Sequence, residues 1–459
     1  MVLRRSNLAV VPFASNPHGS PIALRRRAVG QRVERGLGPV SSLAVSLAIT
    51  GRVRPLGFAT GLFFRLGLFT AALAAVWVCL GMSAAVAHAQ PSPTKVEPSK
   101  AAAVANPEGK APANSAGPTV PTLSPLESEH LANLRQVTQG MVKAGEGYFS
   151  PDGRDIVYQA VPQDYPFYQI YTQPFAGGPP RLVSTGRGRT TCSYFSPDGK
   201  RLLFASSHLD PQLEKTETAA RARQEEDRRT GARRRYEWDF DPFMDLFESD
   251  LDGGNRKQLT SGYGYDAEGA YSKDGKLIAF CRDSEADPKA PVSDARPKNP
   301  DIYLMNADGS KVRRLTSAPG YDGGPFISPD GQWIVFRSDR KKESYLQLYV
   351  IGIDGKNETA LTDNDGVNWG PYWHPTKPLL VWSGADHSNP NARPNYDLWI
   401  MRYSVEKGRM TPGKITRLTD SPAADVLPVF SPDGQRLMWT STRAADRSSQ
   451  LFTAELRGF

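Results

Sequence analysis

The chain repeats one short pattern six times, and this pattern predicts an all-β fold, a six-bladed β-propeller of four-stranded antiparallel blades. In each copy an apolar residue precedes Ser-Pro-Asp-Gly or a variant of it, and the copies begin at residues 149, 195, 271, 327, 373 and 430. Ser-Pro-Asp-Gly suits a type I turn, because proline presets φ at the second corner and glycine suits the fourth. An apolar run follows each copy, so each unit predicts a β-hairpin. The spacings, from 46 residues (149 to 195) to 76 (195 to 271), fit one blade per copy with insertions.

A third and a fourth strand are predicted after each hairpin. The third opens on a motif such as Asp301-Ile302-Tyr303, and the fourth ends in Leu-Thr, as at Leu315-Thr316. The last repeat has no fourth strand of its own, whereas a strand-like segment at 134–138 precedes the first hairpin. We therefore expect residues 135–138 to pair beside residues 450–456. This N-terminal strand would close the ring and remove an open sheet edge.

These repeats resemble the TolB-type six-bladed β-propeller, whose units carry the same Ser-Pro-Asp-Gly turn and terminal Leu-Thr. The resemblance covers about residues 131–456 and implies a scaffold that binds a protein or peptide in the cell envelope. True TolB has a folded α/β domain ahead of its propeller. Residues 90–124 are instead rich in Pro, Ala, Ser and Lys, which predicts a flexible tether and no such domain.

The N-terminal 89 residues predict export. They contain ten Arg and one Glu, and no residue from Leu66 to Ala89 is charged. An apolar core followed by Ala87-His88-Ala89 is typical of a signal peptide cut after Ala89. The alternative is an uncleaved anchor through residues 66–89, because a segment of this length can span a bilayer. The expected organisation is a leader at 1–89, a tether at 90–129 and a propeller at 130–459, in the periplasm or secreted.

The charge distribution argues against a nucleic-acid partner. The whole chain carries +8, but the leader alone carries +9, which leaves −1 on residues 90–459. We expect a monomer that touches a membrane only if its N-terminal segment stays uncleaved. A charged insertion at about 208–241 predicts a solvated helix between the second and third strands of the second blade. A partner-docking arm is the alternative for this insertion.

The sequence predicts no catalytic residue, metal or cofactor. It contains no G-x-S-x-G elbow, H-E-x-x-H helix, phosphate-binding Gly-Lys-Ser/Thr loop or Cys-x-x-Cys pair. His374 takes the serine position of a degenerate turn and is expected to cap that turn. Cys192 and Cys281 are expected to be free thiols, although export permits a disulfide. Calcium is the one cation that channel carboxylates would suit.

The repeats align polar residues near the start of the innermost strands, which line the central channel of a propeller. We expect these carboxylates to gather at one mouth with aromatic residues beside them, and to bind a basic peptide or a cation. The alternative is that they cap strand ends and bond to neighbouring blades. The predicted partner-binding residues are Glu146, Asp266, Glu268, Asp322, Asn368, Trp369 and Asp425.

The sequence therefore favours an exported, non-catalytic propeller scaffold for a protein or peptide partner. One alternative is a propeller enzyme such as a polysaccharide lyase, which would need a cluster of histidines and carboxylates around a metal. Another is an accessory propeller of a peptidase system.

Overall fold

The computed structural model describes residues 122–232, 240–283, 299–389, 391 and 394–459. The predicted leader and signal peptide, the tether as far as residue 121 and the aromatic part of the insertion at 233–239 lie outside these ranges and stay predictions. No helix within them has the length and hydropathy needed to cross a membrane.

The described strands form four four-stranded sheets and one eight-stranded sheet. The first sheet contains β2 (Lys143–Phe149), β3 (Asp155–Val161), β4 (Gln169–Pro174) and β5 (Arg181–Leu182). The eight-stranded sheet contains β6 (Thr190–Phe195), β7 (Arg201–Ser206), β8 (Phe243–Asp250), β9 (Lys257–Gln258), β10 (Gly264–Tyr271), β11 (Leu277–Asp283), β12 (Asp301–Asn306) and β13 (Arg313–Arg314). The third sheet contains β14 (Asp322–Ile327), β15 (Trp333–Ser338), β16 (Gln347–Gly352) and β17 (Thr359–Ala360). The fourth contains β18 (Gly366–Trp373), β19 (Leu379–Asp386), β20 (Asp397–Glu406) and β21 (Arg409–Arg417). The last contains β1 (Leu131–Gln136), β22 (Asp425–Phe430), β23 (Arg436–Ser441) and β24 (Gln450–Leu456).

Strands that follow one another within a sheet pair antiparallel, as the hairpin repeats predict. The eight-stranded sheet consists of two such sets, β6–β9 and β10–β13, joined where β8 and β10 run parallel at Phe243–Gly264 and Met244–Tyr265. The expectation of a propeller with four-stranded antiparallel blades is therefore confirmed.

The N-terminal strand β1 pairs with the C-terminal strand β24. Arg135 lies opposite Thr453, and Gln136 lies opposite Phe452. The pairing of this segment beside residues 450–456 is the one that the sequence predicted.

The Leu-Thr motif fixes the fourth strand of each set to the third. In four sets the threonine Oγ1 accepts a hydrogen bond of 2.9–3.0 Å from a backbone N–H of the third strand, and Ser184 does the same in the first set. In the last set Thr138 takes this part, because its Oγ1 accepts from the N–H of Leu451 at 2.9 Å. Each bond satisfies a buried donor that would otherwise cost free energy.

The turns use both serine and aspartate. At Ser196, for example, the carbonyl accepts from Gly199 N at 2.8 Å, and the hydroxyl accepts from Arg201 N at 2.9 Å and donates to Asp198 at 2.6 Å. In the degenerate fifth copy, His374 Nδ1 accepts from the backbone N–H groups of residues 376 and 377. Burial and the nearby Lys377 lower the pKa of His374 to about 4, so the ring stays a neutral acceptor. The predicted capping role is confirmed.

The core of each set contains one large aromatic residue on the second strand. All six of these side chains are almost fully buried: Tyr158, Phe204, Phe280, Phe336, Trp382 and Trp439. In four sets the ring packs on an aromatic residue of the third strand, with centroids 5.8–6.2 Å apart. The burial of these rings contributes much of the stability of the sheets.

Helix α1 (Pro125–His130) occupies residues that the sequence assigns to the end of the tether. Ser124 and Glu127 form a capping box, in which Ser124 Oγ accepts from Glu127 N and Glu127 accepts from Ser124 N. Glu127 is buried and pairs with Arg443 at 2.5 Å. Residues before 130 are therefore part of the folded structure, because this ion pair attaches the helix to the last sheet.

Helix α2 (Leu213–Thr230) lies in the charged insertion, where the sequence predicts a helix. Its buried residue Glu217 accepts from Arg187 Nε at 2.7 Å and from the Tyr165 hydroxyl at 2.5 Å. The helix is therefore attached to the loop that follows β3 and to the end of the first sheet, while most of its charged residues face solvent.

We expect Thr419→Val to lower the free energy of unfolding by about 1–3 kcal/mol, because valine leaves the buried N–H of Leu398 without its acceptor. The matched control is Thr411→Val on the exposed strand β21, which should change stability by less than about 0.5 kcal/mol. Equilibrium denaturant unfolding measures both values. Equal effects of the two substitutions would contradict this role of the Leu-Thr motif.

Candidate functional site

Each of the six innermost strands contains a bulge at the same position. The pairing register shifts there in all six hairpins, and one residue has a φ between 48° and 61°. Such bulges redirect the side chain of the extra residue. The six residues are Glu146, Cys192, Glu268, Gly324, Gly370 and Leu427.

All six of these residues line one cavity, which we call the axial cavity. Its volume is about 20 Å³, which holds about one water molecule. Two of the six positions are glycine, which adopts this backbone conformation without strain. The strands thus converge so closely that a peptide could not pass along the axis.

A buried ion pair crosses the axial cavity. Arg337 Nη2 donates to Glu268 Oε2 at 3.1 Å and to the Tyr321 hydroxyl at 2.8 Å. Tyr321 and the backbone N–H of Gly324 also donate to Glu268, at 2.7 and 2.5 Å. These hydrogen bonds compensate for the loss of hydration that a buried pair suffers.

Glu146 also lines the axial cavity, but its carboxylate has fewer hydrogen-bond donors than that of Glu268. The part of the chain that the structure describes offers no hydrogen-bond partner to its Oε2 atom. Burial raises the pKa of Glu146, and the charge of Glu268 raises it further, while Arg337 opposes the shift. These surroundings therefore disfavour the charged form of Glu146 relative to a carboxylate in water.

The three aspartates of the predicted acidic mouth are paired with arginines. Asp266 bonds to Arg282 at 2.5 Å. Asp322 bonds in the same way to an arginine that follows the second strand of its own set, Arg340, at 2.6 Å. Asp425 bonds to Arg443 at 2.5 Å, and Arg443 also holds Glu127.

The seven predicted residues therefore do not form one open cluster. Glu146 and Glu268 meet at the axial cavity, whereas the aspartates lie buried in separate ion pairs. Asn368 accepts from Trp382 Nε1 at 3.0 Å, and Trp369 is buried with its ring centroid 5.9 Å from the guanidinium of Arg337. This geometry fits the alternative that these residues hold strand ends. Their part in binding a partner stays a prediction.

The other end of the axis has a different character. A recess of about 380 Å³ opens among the turns, and we call it the turn-side recess. Its rim includes the proline of five turns: Pro151, Pro197, Pro329, Pro375 and Pro432. Aromatic residues from the ends of the inner strands, such as Phe149 and Tyr271, line its walls.

An aromatic cluster lies between this recess and the axial cavity. Tyr148, Tyr194, Phe326 and Tyr372 pack together with centroids 5.1–6.0 Å apart. The hydroxyl groups of Tyr194 and Tyr372 lie 2.9 Å apart. The recess is therefore a closed cup and not the mouth of a channel.

The sequence contained a signal for the recess that we did not use. The residues just before each turn are aromatic in most copies, as at Tyr148-Phe149, Tyr194-Phe195 and Tyr372-Trp373. In a strand, two successive side chains point to opposite faces, so a doubled aromatic indicates that both faces are covered or that one forms a site.

Cys192 and Cys281 are both buried free thiols, as the sequence predicts. Burial raises the pKa of both thiols well above the ordinary value, and the charges of Glu146 and Glu268 add to the shift at Cys192. Neither thiol therefore has the low pKa that activates a cysteine nucleophile.

We expect Gly324→Ala to cost at least about 1 kcal/mol more than Gly370→Ala. Both glycines have a φ of about +60°, so backbone strain is matched. A Cβ atom at residue 324 would lie 2.1 Å from Arg337 Nη1 and displace the guanidinium that bonds to Glu268. A Cβ atom at residue 370 would approach closely only the flexible end of Leu427, at 2.9 Å. Chemical denaturation of both variants gives the comparison. Equal costs would mean that the pair of Glu268 and Arg337 adds little to stability.

Comparison with known proteins gives one match to a family model. Residues 289–397 match the model described as the TolB beta propeller domain. An uncharacterised protein of Agrobacterium fabrum is 26% identical over 169 residues, which are 37% of this chain and 52% of that protein. The Tol-Pal system protein TolB of Bordetella pertussis is 46% identical over 55 residues, 12% of each chain. The chain thus spans about half the length of the first relative and far less of the second.

Solved structures show the same kind of likeness. Putative TolB from Agrobacterium tumefaciens is 20% identical with a TM-score of 0.44, covering 69% of this chain and 91% of its own. TolB from Acinetobacter baumannii is 18% identical with a TM-score of 0.43, and the match covers 70% of this chain and 67% of that protein. An oligogalacturonate lyase from Vibrio parahaemolyticus is 11% identical with a TM-score of 0.43, and the match covers 70% of this chain and 93% of that protein. These TM-scores lie below 0.5, so this likeness says nothing about function. Residues 289–397 thus resemble the TolB beta propeller domain, and the sheet architecture is that of a β-propeller.

Proposed function

We propose that this protein is an exported, non-catalytic scaffold that binds a segment of a protein partner in the cell envelope. We take the eight-stranded sheet as two blades, which makes six blades, and β1 as the strand that closes the ring. Export is inferred from the N-terminal leader. A protein partner is inferred in part from the relative that is named a Tol-Pal system protein.

The observation that carries this proposal is the turn-side recess. It is concave, lined by aromatic residues and prolines, and its volume of about 380 Å³ falls within the range of sites that bind ligands. Aromatic-lined grooves bind extended, proline-rich peptide segments. Such segments are already ordered before they bind, so they lose little further conformational entropy. The recess also exceeds what the turns need for their own stability, because serine and aspartate already satisfy each turn.

The recess is preorganised for binding. Four of the five rim prolines belong to turns that serine and aspartate side chains hold on both sides, as at Ser431 and Asp433. The fifth, Pro375, belongs to the turn that His374 caps. Its floor is the packed aromatic cluster. A rigid site loses less entropy when a partner binds, so a modest contact area gives useful affinity.

The metal content of the purified protein distinguishes the scaffold from the alternative of a polysaccharide lyase. Such an enzyme would need a metal held by histidines and carboxylates, and within the described ranges no group of three or more His, Cys, Asp or Glu has a suitable arrangement. Stoichiometric manganese or zinc in the purified protein would favour the lyase over the scaffold.

We expect the double substitution Lys273→Glu with Thr376→Glu to reduce capture of the partner by about tenfold or more without lowering Tm. Both residues are exposed and line the recess, so the new charges oppose an apolar segment and leave the fold intact. The measurement is affinity capture from envelope extract by the full exported chain, with thermal unfolding of each variant.

Two controls separate the sites. Lys200→Glu makes the same charge reversal as Lys273→Glu, on an exposed turn residue outside the recess, and should leave capture unchanged. Asp266→Asn with Asp322→Asn should lower Tm, because Arg282 and Arg340 each lose a buried partner, and should keep capture. Normal capture by the recess variant, or lost capture by the aspartate variant at unchanged Tm, would move the binding site to the predicted acidic mouth.

A further inference from the structure

Three neighbouring pairs of strand sets share a matching arrangement of aspartates. One aspartate lies near the start of a third strand, and the other lies on the first strand of the next set. The pairs are Asp245 with Asp266, Asp301 with Asp322, and Asp397 with Asp425, and in each the charge of the second raises the pKa of the first. Where the third strand begins with glutamine, the next set has an uncharged residue instead, as with Gln347 and Asn368.

In two of these three pairs each aspartate has an arginine of its own. Arg314 pairs with Asp301, and its Nε donates to the Thr316 carbonyl at 2.8 Å. Arg417 does the same for Asp397, at 2.7 Å from the carboxylate and 2.9 Å from the Thr419 carbonyl. The second aspartate pairs with Arg340 or Arg443, which also bonds to a glutamate, Glu358 or Glu127. Every aspartate of these two pairs therefore has a guanidinium partner.

The third pair is one cation short. Asp266 pairs with Arg282. In the other two pairs, Arg314 and Arg417 each lie on the fourth strand, opposite an aromatic residue of the third strand. The residue at this position in the third pair is Gln258. The Gln258 amide donates to Asp245 at 3.0 Å and carries no charge. Among the described residues, no lysine or arginine pairs with Asp245, whose other hydrogen bond comes from Thr260.

A cavity of about 200 Å³ borders both aspartates of this pair, and we call it the interface cavity. It is lined by Asp245, Asp266, Arg282, Asp283 and residues 261–264. Asp245 and Asp266 are 7% and 5% exposed, so water screens their charges poorly. The volume is several times that of one water molecule.

We propose that the interface cavity binds one guanidinium or ammonium group, from a free small cation or from an arginine or lysine side chain of a partner. The site lies apart from the turn-side recess and does not depend on the function proposed for it. The preference for a guanidinium comes from the two equivalent positions in this chain, where an internal guanidinium bonds to both the carboxylate and the threonine carbonyl.

The titration of Asp245 agrees with a cation deficit. Burial raises its pKa from 3.8 to about 7, and the charge of Asp266 adds to the shift, while Gln258, Thr260 and Arg282 oppose it. Because the folded-state pKa is raised, the stabilising contribution is complete below about pH 4 and is lost as pH rises through 7. Asp266, Arg282 and Asp283 are the charged groups that line the cavity with Asp245. A cation bound beside Asp245 would reduce this loss of stability at neutral pH.

The first test places the missing cation in the chain. We expect Gln258→Arg to raise Tm at pH 7.5 by about 2 °C or more and to reduce the fall in Tm between pH 5 and 8. The matched control is Gln136→Arg in β1, which also lies opposite an aromatic residue of the third strand but beside Gln450, with no carboxylate at that position. Equal Tm changes in the two variants, or a lower Tm for Gln258→Arg alone, would overturn the proposal.

The second test uses ligands. Methylguanidinium chloride at millimolar concentration should raise the Tm of the natural protein in a saturable way, compared with sodium chloride at equal ionic strength. Asp245→Asn should be more stable than the natural protein at pH 7.5. Both Asp245→Asn and Gln258→Arg should lose the rise in Tm with methylguanidinium. A short peptide that contains arginine is compared with its citrulline counterpart. A response to methylguanidinium supports a free cation, and a response to the arginine peptide alone supports a partner side chain. A response to neither would overturn the proposal.

Discussion

The inner strands converge on an axis that has room for about one water molecule, and the rest of the structure follows from this constraint. Straight strands would bring six rows of side chains into the same space. Each strand instead places one residue in the left-handed backbone region, and two of these residues are glycine. Because the axis is filled, its two ends are separate sites with separate chemistry. An aromatic cluster covers one end, and ion pairs between arginines and aspartates occupy the other.

Buried charge at the axis is stable only because it is shared among several donors. Glu268 receives hydrogen bonds from Arg337, Tyr321 and the backbone of Gly324. Glu146 has no such set, and burial together with the charge of Glu268 raises its pKa. The two carboxylates therefore differ, because Glu268 has a full set of donors whereas the charged form of Glu146 is disfavoured. The aspartates of the first strands, Asp266, Asp322 and Asp425, are stabilised in the same way as Glu268, since each has an arginine.

The fold was predictable because its signals are local and repeated. Hairpins, the Leu-Thr strands and the pairing of residues 135–138 follow from turn chemistry and from a missing strand. The site was less predictable, because each arginine partner lies 16 or 18 residues from its aspartate, on the next strand or just after it. The bulges also change which residues face the axis, since one extra residue reverses the alternation of side chains. Helix α1 was missed because its stability comes from Arg443, which is distant in sequence.

The two ends of the axis differ in how closely they are coupled to folding. At the aspartate end, a side chain such as Asp425 bonds both to Arg443 and to Trp439 Nε1, so it cannot change without cost to the sheet that holds it. At the turn end, serine and aspartate hold the backbone of five turns and His374 holds that of the sixth, while the aromatic and proline side chains face the recess. The surface of the recess can therefore vary in shape and charge while the turns stay intact. A propeller that takes different partners needs this separation, and it is why the turn-side recess, rather than the paired carboxylates, is the better candidate for recognition.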